Sequence, residues 1–164
     1  MGGSGSFVIT VTSPSNNKNT LQAIIGAASP LEKTTESTFD VPDSVLVVSS
    51  ELLSDIATEN SSVTTITLGS SVVEVEAGAL SWSNLECINV DENSSGFTVK
   101  DCVLFTKDMR SLVTYPPAKK GDFYERPNET EAILSGAFTR SSLTSVTLPS
   151  APKTIEEGAF TESP

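Results

Sequence analysis

Ser142-Leu143-Thr144-Ser145-Val146-Thr147-Leu148, followed by Glu156-Glu157-Gly158-Ala159-Phe160, decides the fold of this chain because it is written twice. The earlier copy is Ser62-Val63-Thr64-Thr65-Ile66-Thr67-Leu68, ending in Glu76-Ala77-Gly78-Ala79-Leu80, 80 residues upstream. Ser135-Gly136-Ala137-Phe138 repeats the ending once more, 22 residues before the last copy. Self-similarity at a period of about 20–30 residues marks stacked repeats, each burying its apolar side on its neighbour. Such stacks present long open faces to partners more often than they enclose a reaction centre.

Within a copy the spacing is that of a strand followed by a tight return. Ile66 and Leu68 point one way along a strand, Thr65 and Thr67 the other. Gly69-Ser70-Ser71 turns the chain, Val72 and Val75 pack next, and Ala77-Gly78-Ala79-Leu80 brings it back. Leu85, Ile88 and Val90 open another copy, which an insertion at about 96–118 interrupts. Phe97 to Phe105, a Lys107-Asp108 turn and Leu112 to Tyr115 read as a β-hairpin. Tyr124 to Pro127 resumes the repeat strand, and Ile133 takes the inner position.

Upstream the pattern degenerates. Phe39-Asp40-Val41-Pro42 reads as a strand, and Ser49 or Ser50 caps a helix running to Ala57. Phe7 to Thr12 alternates as a strand, and Leu21 to Ala28, capped by Thr20 and closed by Ser29-Pro30, reads as a helix. Residues 7–35 are therefore expected to form a βα cap over the first apolar edge, with repeats over 36–164. Residues 1–6, Met1-Gly2-Gly3-Ser4-Gly5-Ser6, look like an appended scar. A further strand is due after Pro164, so the array is expected to continue.

Composition narrows the function. Ten basic against twenty-one acidic residues leave a formal charge of −11, which opposes nucleic acid and anionic membrane as partners. No apolar run approaches the ~20 residues of a membrane span. Histidine is absent, which removes Ser-His-Asp and Cys-His catalysis and every histidine metal site. Cys87 and Cys102 are either one disulfide or two unpaired thiols. Ser and Thr total 44 residues, so hydroxyls rather than charges cover much of the surface. Asn60, Asn93 and Asn128 head Asn-x-Ser/Thr triplets, which matter only in a secreted eukaryotic chain.

The motif Leu143-x-x-Val146-x-Leu148-Pro149, then Ile155-x-x-Gly158-Ala159-Phe160, resembles the BspA-type leucine-rich repeats of bacterial and protist surface proteins. Phe97 to Asp108 with Leu112 to Pro116 resembles the hairpin insertion of that family, in which a small residue, usually Gly, stands where Cys102 does. The resemblance covers about 62–163, more weakly 36–61. It departs at Leu80, where Phe is usual, and at Gly69, where Pro is usual. It implies surface exposure and roles in adhesion or host-protein binding.

Candidate chemistry follows. Neighbouring carboxylates at Glu74/Glu76, Asp91/Glu92, Glu129/Glu131 and Glu156/Glu157 sit beside turns or just before Gly-Ala-Phe, where solvent is expected and acid–base work is not. Asp91-Glu92-Asn93 offers oxygen ligands without a calcium-loop pattern. The outward strand positions Thr65, Thr67, Cys87, Asn89, Glu125, Pro127, Ser145 and Thr147 form a small polar stripe suited to a peptide or glycan. Exposed strand positions also favour Thr for backbone reasons alone. Lys107 and Arg110 at the hairpin tip, with Lys119, Lys120 and Lys100 nearby, hold half of the ten basic residues and suit an acidic glycan, or serve only as solvated turns. Trp82 is a contact residue or packs between repeats.

The expectation is a β-rich α/β solenoid: about four right-handed leucine-rich coils, a βα cap and an inserted hairpin. Its expected role is non-enzymatic binding or adhesion at a cell surface, with Thr65, Thr67, Asn89, Thr147, Lys107 and Arg110 as binding residues. No cofactor, metal, nucleic acid or membrane insertion is expected. The expected partner is a host or neighbouring-cell protein or glycan, alongside further repeats or domains of the same chain. The alternative is a structural spacer or accessory domain of a larger surface protein or secreted hydrolase.

Overall fold

The computed structural model describes residues 8–11, 21–24, 37–41, 43–50, 53, 62–82, 84–148 and 153–164. Strands dominate it. β1 (Val8–Val11) pairs antiparallel with β2 (Leu21–Ile24), so a strand pair stands where the βα unit was expected. Periodicity alone cannot separate a short apolar strand from a helix start, and pairing spends alternate backbone groups of each segment on the other. This pair shares no ladder with the repeats. The rest of the expected cap and most of the helix expected to run to Ala57 lie outside the described residues. The entry to that helix is present, because the Leu53 N–H donates to the Ser49 carbonyl, an i to i−4 bond.

The repeats stack as two series of parallel strands. In the first, β3 (Thr38–Asp40), β5 (Thr65–Leu68) and β7 (Cys87–Val90) form one sheet. β11 (Phe123–Glu125) and β13 (Ser145–Thr147) form another. In the second series, β4 (Val47–Val48) pairs with β6 (Glu74–Val75), and β12 (Ala132–Ile133) pairs with β14 (Thr154–Ile155). Thr65 lies opposite Cys87, Phe123 opposite Ser145 and Ala132 opposite Thr154, each pair 22 residues apart, so the sequence period is the structural period.

Apolar positions of the motif face inward as the spacing requires. Ile66, Leu68, Val72, Leu80, Leu85 and Ile88 are fully buried in one cluster. Burying each such side chain contributes about 1.5–3 kcal/mol. A second cluster holds Val103, Phe105, Leu112, Tyr115, Ile133 and Phe138. It is built on aromatic contacts, with ring centroids 5.5 Å apart for Tyr115–Phe138 and 4.9 Å for Phe138–Phe160. Trp82 is buried and its indole N–H donates to the Val63 carbonyl at 3.2 Å, so it packs between repeats.

The insertion is larger and more deeply built in than one projecting hairpin. β8 (Phe97–Lys100), β9 (Val103–Thr106) and β10 (Ser111–Thr114) form an antiparallel meander. β10 then pairs in parallel with β12, giving a five-stranded sheet β14-β12-β10-β9-β8. Val103, Leu104 and Phe105 are all fully buried, because the meander lies between repeats rather than outside them. Leu112 stands opposite Ile133, so β10 supplies the second strand of the interrupted repeat.

Glutamates before the Gly-Ala turns tie neighbouring repeats together. The Glu76 carboxylate accepts from the Ser50 N–H at 3.2 Å, and Glu156 accepts from the Ser135 N–H at 2.8 Å. The glycine at 69 also has a reason. A β-carbon there would lie 2.8 Å from the Val41 carbonyl, so the usual Pro cannot fit, and Asp43 takes the Ser70 N–H at 2.9 Å instead.

Candidate binding surface

Four of the stripe residues, Thr65, Thr67, Cys87 and Asn89, come together. The β3–β5–β7 register places Asp40, Thr67 and Asn89 in one cross-strand row and Thr38, Thr65 and Cys87 in the next. Thr65, Thr67 and Cys87 are half-buried and Asn89 is exposed, while Ile66 and Ile88 between them are buried. Period-two alternation therefore sets this face, as the motif spacing requires.

The row does not run on to Thr147. Cys87 is disulfide-bonded to Cys102, with Cα atoms 4.6 Å apart, and the Ile88 N–H donates to the Cys102 carbonyl at 3.1 Å. These two links hold the β8–β9 turn against the outer edge of β7. Asp101 and Cys102 have φ of 51° and 67°, the left-handed pair of a type I′ turn between Lys100 and Val103. That conformation explains why a small residue is usual at position 102. Thr147 lies beyond the turn on its own two-stranded sheet, opposite Glu125.

On that second sheet the stripe is shifted by two residues from expectation. Phe123 and Glu125 face outward opposite Ser145 and Thr147, whereas Pro127 lies past the strand. Tyr124 is the buried residue between them, and its phenol is held protonated by burial, then by the nearby Asp101 charge. Phe123, 54 % exposed, was missed. Placing Tyr124 rather than Arg126 on the inner row opposite Val146 would have found it.

The basic residues do not form one patch. Lys107 and Arg110 are exposed in the β9–β10 turn, whose geometry Asp108 fixes. Its carboxylate accepts from the Arg110 N–H at 3.0 Å and from the Thr106 hydroxyl at 2.7 Å, which hold its pKa below the ordinary value. Arg110 also shares the field of Glu131, whose own pKa is lowered chiefly by Lys153 at 2.8 Å. Lys119 and Lys120 follow β10, at the other end of a strand about 13 Å long. There the Ala118 N–H donates to the Leu85 carbonyl.

The remaining candidates are turn chemistry. Asp91 accepts from the Asn93 N–H at 2.8 Å and from its side-chain amide at 3.0 Å, an Asx turn. No group of three Asp, Glu or Cys placed to hold a metal occurs among the described residues. Glu74, Glu76, Glu129, Glu156 and Glu157 are exposed.

Residues 31–107 and 122–164 match the model of the BspA type leucine rich repeat region, in six copies. The chain belongs to the BspA-type leucine-rich repeat family. The match to BspA-type repeats breaks over 108–121, where β10 leaves the insertion. No curated protein matches the sequence. Among solved structures it is similar to a leucine-rich repeat protein from Eubacterium ventriosum, at 25 % identity and a TM-score of 0.64, over 76 % of this chain and 32 % of that one. It is also similar to the pneumococcal vaccine antigen PcpA (22 %, TM-score 0.49, 74 % of this chain and 34 % of that one). A leucine rich cell surface protein from Faecalibacterium prausnitzii is similar at 19 % and a TM-score of 0.44, over 73 % and 41 %. The chain thus spans about a third of the length of the first two.

Proposed function

We propose that these BspA-type repeats are a non-enzymatic, adhesion-type module that binds a protein or glycan of a host or neighbouring cell. They belong to a cell-surface or secreted protein and adjoin further repeats or domains of the native chain. The repeats wind as a right-handed solenoid, the hand that strand crossovers adopt almost without exception. On this reading the β1–β2 pair belongs to an N-terminal cap over the first edge.

The observation that carries this reading is the Asp40–Thr67–Asn89 row. Parallel pairing holds a carboxylate, a hydroxyl and an amide about 4.8 Å apart on a backbone with no freedom to spread. Fixed donors and acceptors at that spacing suit the hydroxyls of a glycan or the backbone of an extended peptide, and their ordering cost is already met in the fold. The Cys87–Cys102 bond supports an oxidising compartment, where disulfides persist. Exposed rather than buried carboxylates support a role without acid–base catalysis.

The spacer reading draws support from the 32 % of the Eubacterium ventriosum protein that the chain spans. One experiment separates the two. Thr65, Thr67 and Asn89 are changed together to Ala, with Thr147 alone as a second variant, and attachment to cells and immobilised mucin is measured. The binding reading expects the triple variant to lose attachment with the fold intact by circular dichroism. Unchanged attachment sinks it and leaves the spacer.

A further inference from the structure

The ladder between β11 and β13 fixes where each backbone group of β11 points. The Ser145 N–H donates to the Asp122 carbonyl at 3.2 Å, and the Arg126 N–H to the Thr147 carbonyl at 3.4 Å. With Tyr124 opposite Val146 between them, alternation turns the backbone of Tyr124 toward β13 and that of Phe123 and Glu125 to the opposite edge. Among the described residues that edge pairs with no strand. The β8–β9 turn, pinned to β7, keeps the preceding repeat away from it. Beside Glu125 remains a notch of about 360 Å³, lined by Lys100 and Asp101 of that turn and by residues 124–129, with Phe123 outside its lining.

An open edge with unspent N–H and carbonyl groups is a template for another strand. Charge selects which. Asp101, Glu125 and Glu129 are exposed around the notch against one exposed cation, Lys100. The Arg126 guanidinium is buried and turned onto the Pro127 and Thr130 carbonyls. We propose that the free edge of β11 binds an extended polypeptide carrying Lys or Arg, by adding it as a strand. Phe123 and Glu125 supply the main-chain bonds. Their side chains share the exposed face, so the partner strand places an apolar residue beside the Phe123 ring and a cation beside Glu125. The inference rests on the reading of this module as a binder, but on a different element from the Thr65–Asn89 face.

The test uses the whole 164-residue chain and two blocked octapeptides, Val-Thr-Lys-Thr-Val-Thr-Lys-Thr and the same peptide with Glu for Lys. Binding is measured by calorimetry, and amide exchange at single residues by NMR. The lysine peptide is expected to bind and to slow exchange of the Phe123 and Glu125 N–H groups, and the glutamate peptide to do neither. Asp101→Lys with Glu129→Lys, both exposed, is expected to weaken the lysine peptide roughly tenfold. Equal binding of both peptides, no binding of either, or unslowed exchange at Glu125 under saturation overturns the proposal. If the lysine peptide fails while attachment still needs Thr65, Thr67 and Asn89, the edge proposal falls and the face reading stands. If the peptide docks on Glu125 and the triple variant attaches normally, the edge stands and the face reading falls.

Discussion

Gly136 packs directly on Gly78: a β-carbon at 136 would lie 2.5 Å from the Gly78 nitrogen and 3.1 Å from the Ala77 carbonyl carbon. These glycines are the same position of the motif in two repeats that are not successive in sequence. The repeat between them, begun by β7, has no Gly-Ala turn, because β10 leads instead into Tyr115, whose N–H donates to the Ala137 carbonyl at 2.7 Å. The meander thus enters between two repeats while their turns stay in contact. Both ends of the insertion are anchored by the stack it interrupts.

Gly136→Ala is therefore expected to cost about 3 kcal/mol, summing a left-handed residue and a backbone collision that has no flexible side chain to yield. Gly136 and Gly78 share a φ of 74°, but a β-carbon on Gly78 meets only the Ser81 hydroxyl at 3.8 Å. Gly78→Ala should cost about 1 kcal/mol, the conformational part alone. Urea unfolding followed by circular dichroism compares the two. Equal losses would show that conformation, not contact, sets the glycine at 136.

The disulfide closes a 15-residue separation, so opening it is expected to cost about 3 kcal/mol in the chain-entropy model. A finer comparison isolates the turn. Cys102 sits at φ 67°, where a residue with a β-carbon is disfavoured by about 1–2 kcal/mol. Cys87→Ser with Cys102→Gly should then unfold at higher urea than Cys87→Ser with Cys102→Ser, since an Asp-Gly pair suits a type I′ turn. A more stable serine variant would contradict the left-handed assignment.

The repeated motif made the parallel ladders legible. Ile66, Leu68 and Ile88 are buried and Thr65, Thr67 and Asn89 share a face because alternation is local and each repeat copies it. What stayed hidden is non-local. Phe97 to Tyr115 shows strands and turns, but nothing in it says that β10 pairs with β12 or that the Cys102 turn occupies the edge of β7. The shift from Glu125 and Pro127 to Phe123 and Glu125 has the same origin, since register is set by the partner strand. At Leu21 to Ile24 a short apolar run fits either helix or strand, and only its pairing with β1 decides.

Asp108 is expected to titrate below the ordinary aspartate value of 3.8, first through the Arg110 N–H and then through the Thr106 hydroxyl. A carboxylate whose folded pKa is depressed contributes stability above its unfolded value, and that contribution is lost as pH falls through the folded one. The β9–β10 turn should therefore loosen only in acid, below the normal aspartate range. Carboxyl-detected NMR gives the midpoint directly. Thr106→Val should raise it, and Asp108→Asn should remove this part of the acid sensitivity. A midpoint at or above the ordinary value would mean that the two hydrogen bonds do not persist in solution.

Tyr115 and Tyr124 are the chain's two tyrosines and both lie in the second apolar cluster, with ring centroids 5.0 Å apart. Burial raises the pKa of each above the ordinary 10.0, and for Tyr124 the Asp101 charge and then Tyr115 add to it. A phenol whose folded pKa is raised leaves its contribution intact below the unfolded value and loses it as pH rises through the folded one. Above pH 10 the unfolded chain ionises while the folded chain resists, so the fold weakens in base. Tyrosinate absorbance and circular dichroism should then change together in one alkaline transition, with no tyrosinate before it. Asp101→Asn lowers the folded pKa of Tyr124 without exposing the ring, so it should delay the loss of structure in base. Tyrosinate appearing near pH 10 with the dichroism unchanged would place at least one ring in water, and the Tyr115–Tyr124–Phe138 cluster would lose its role as the core of the later repeats.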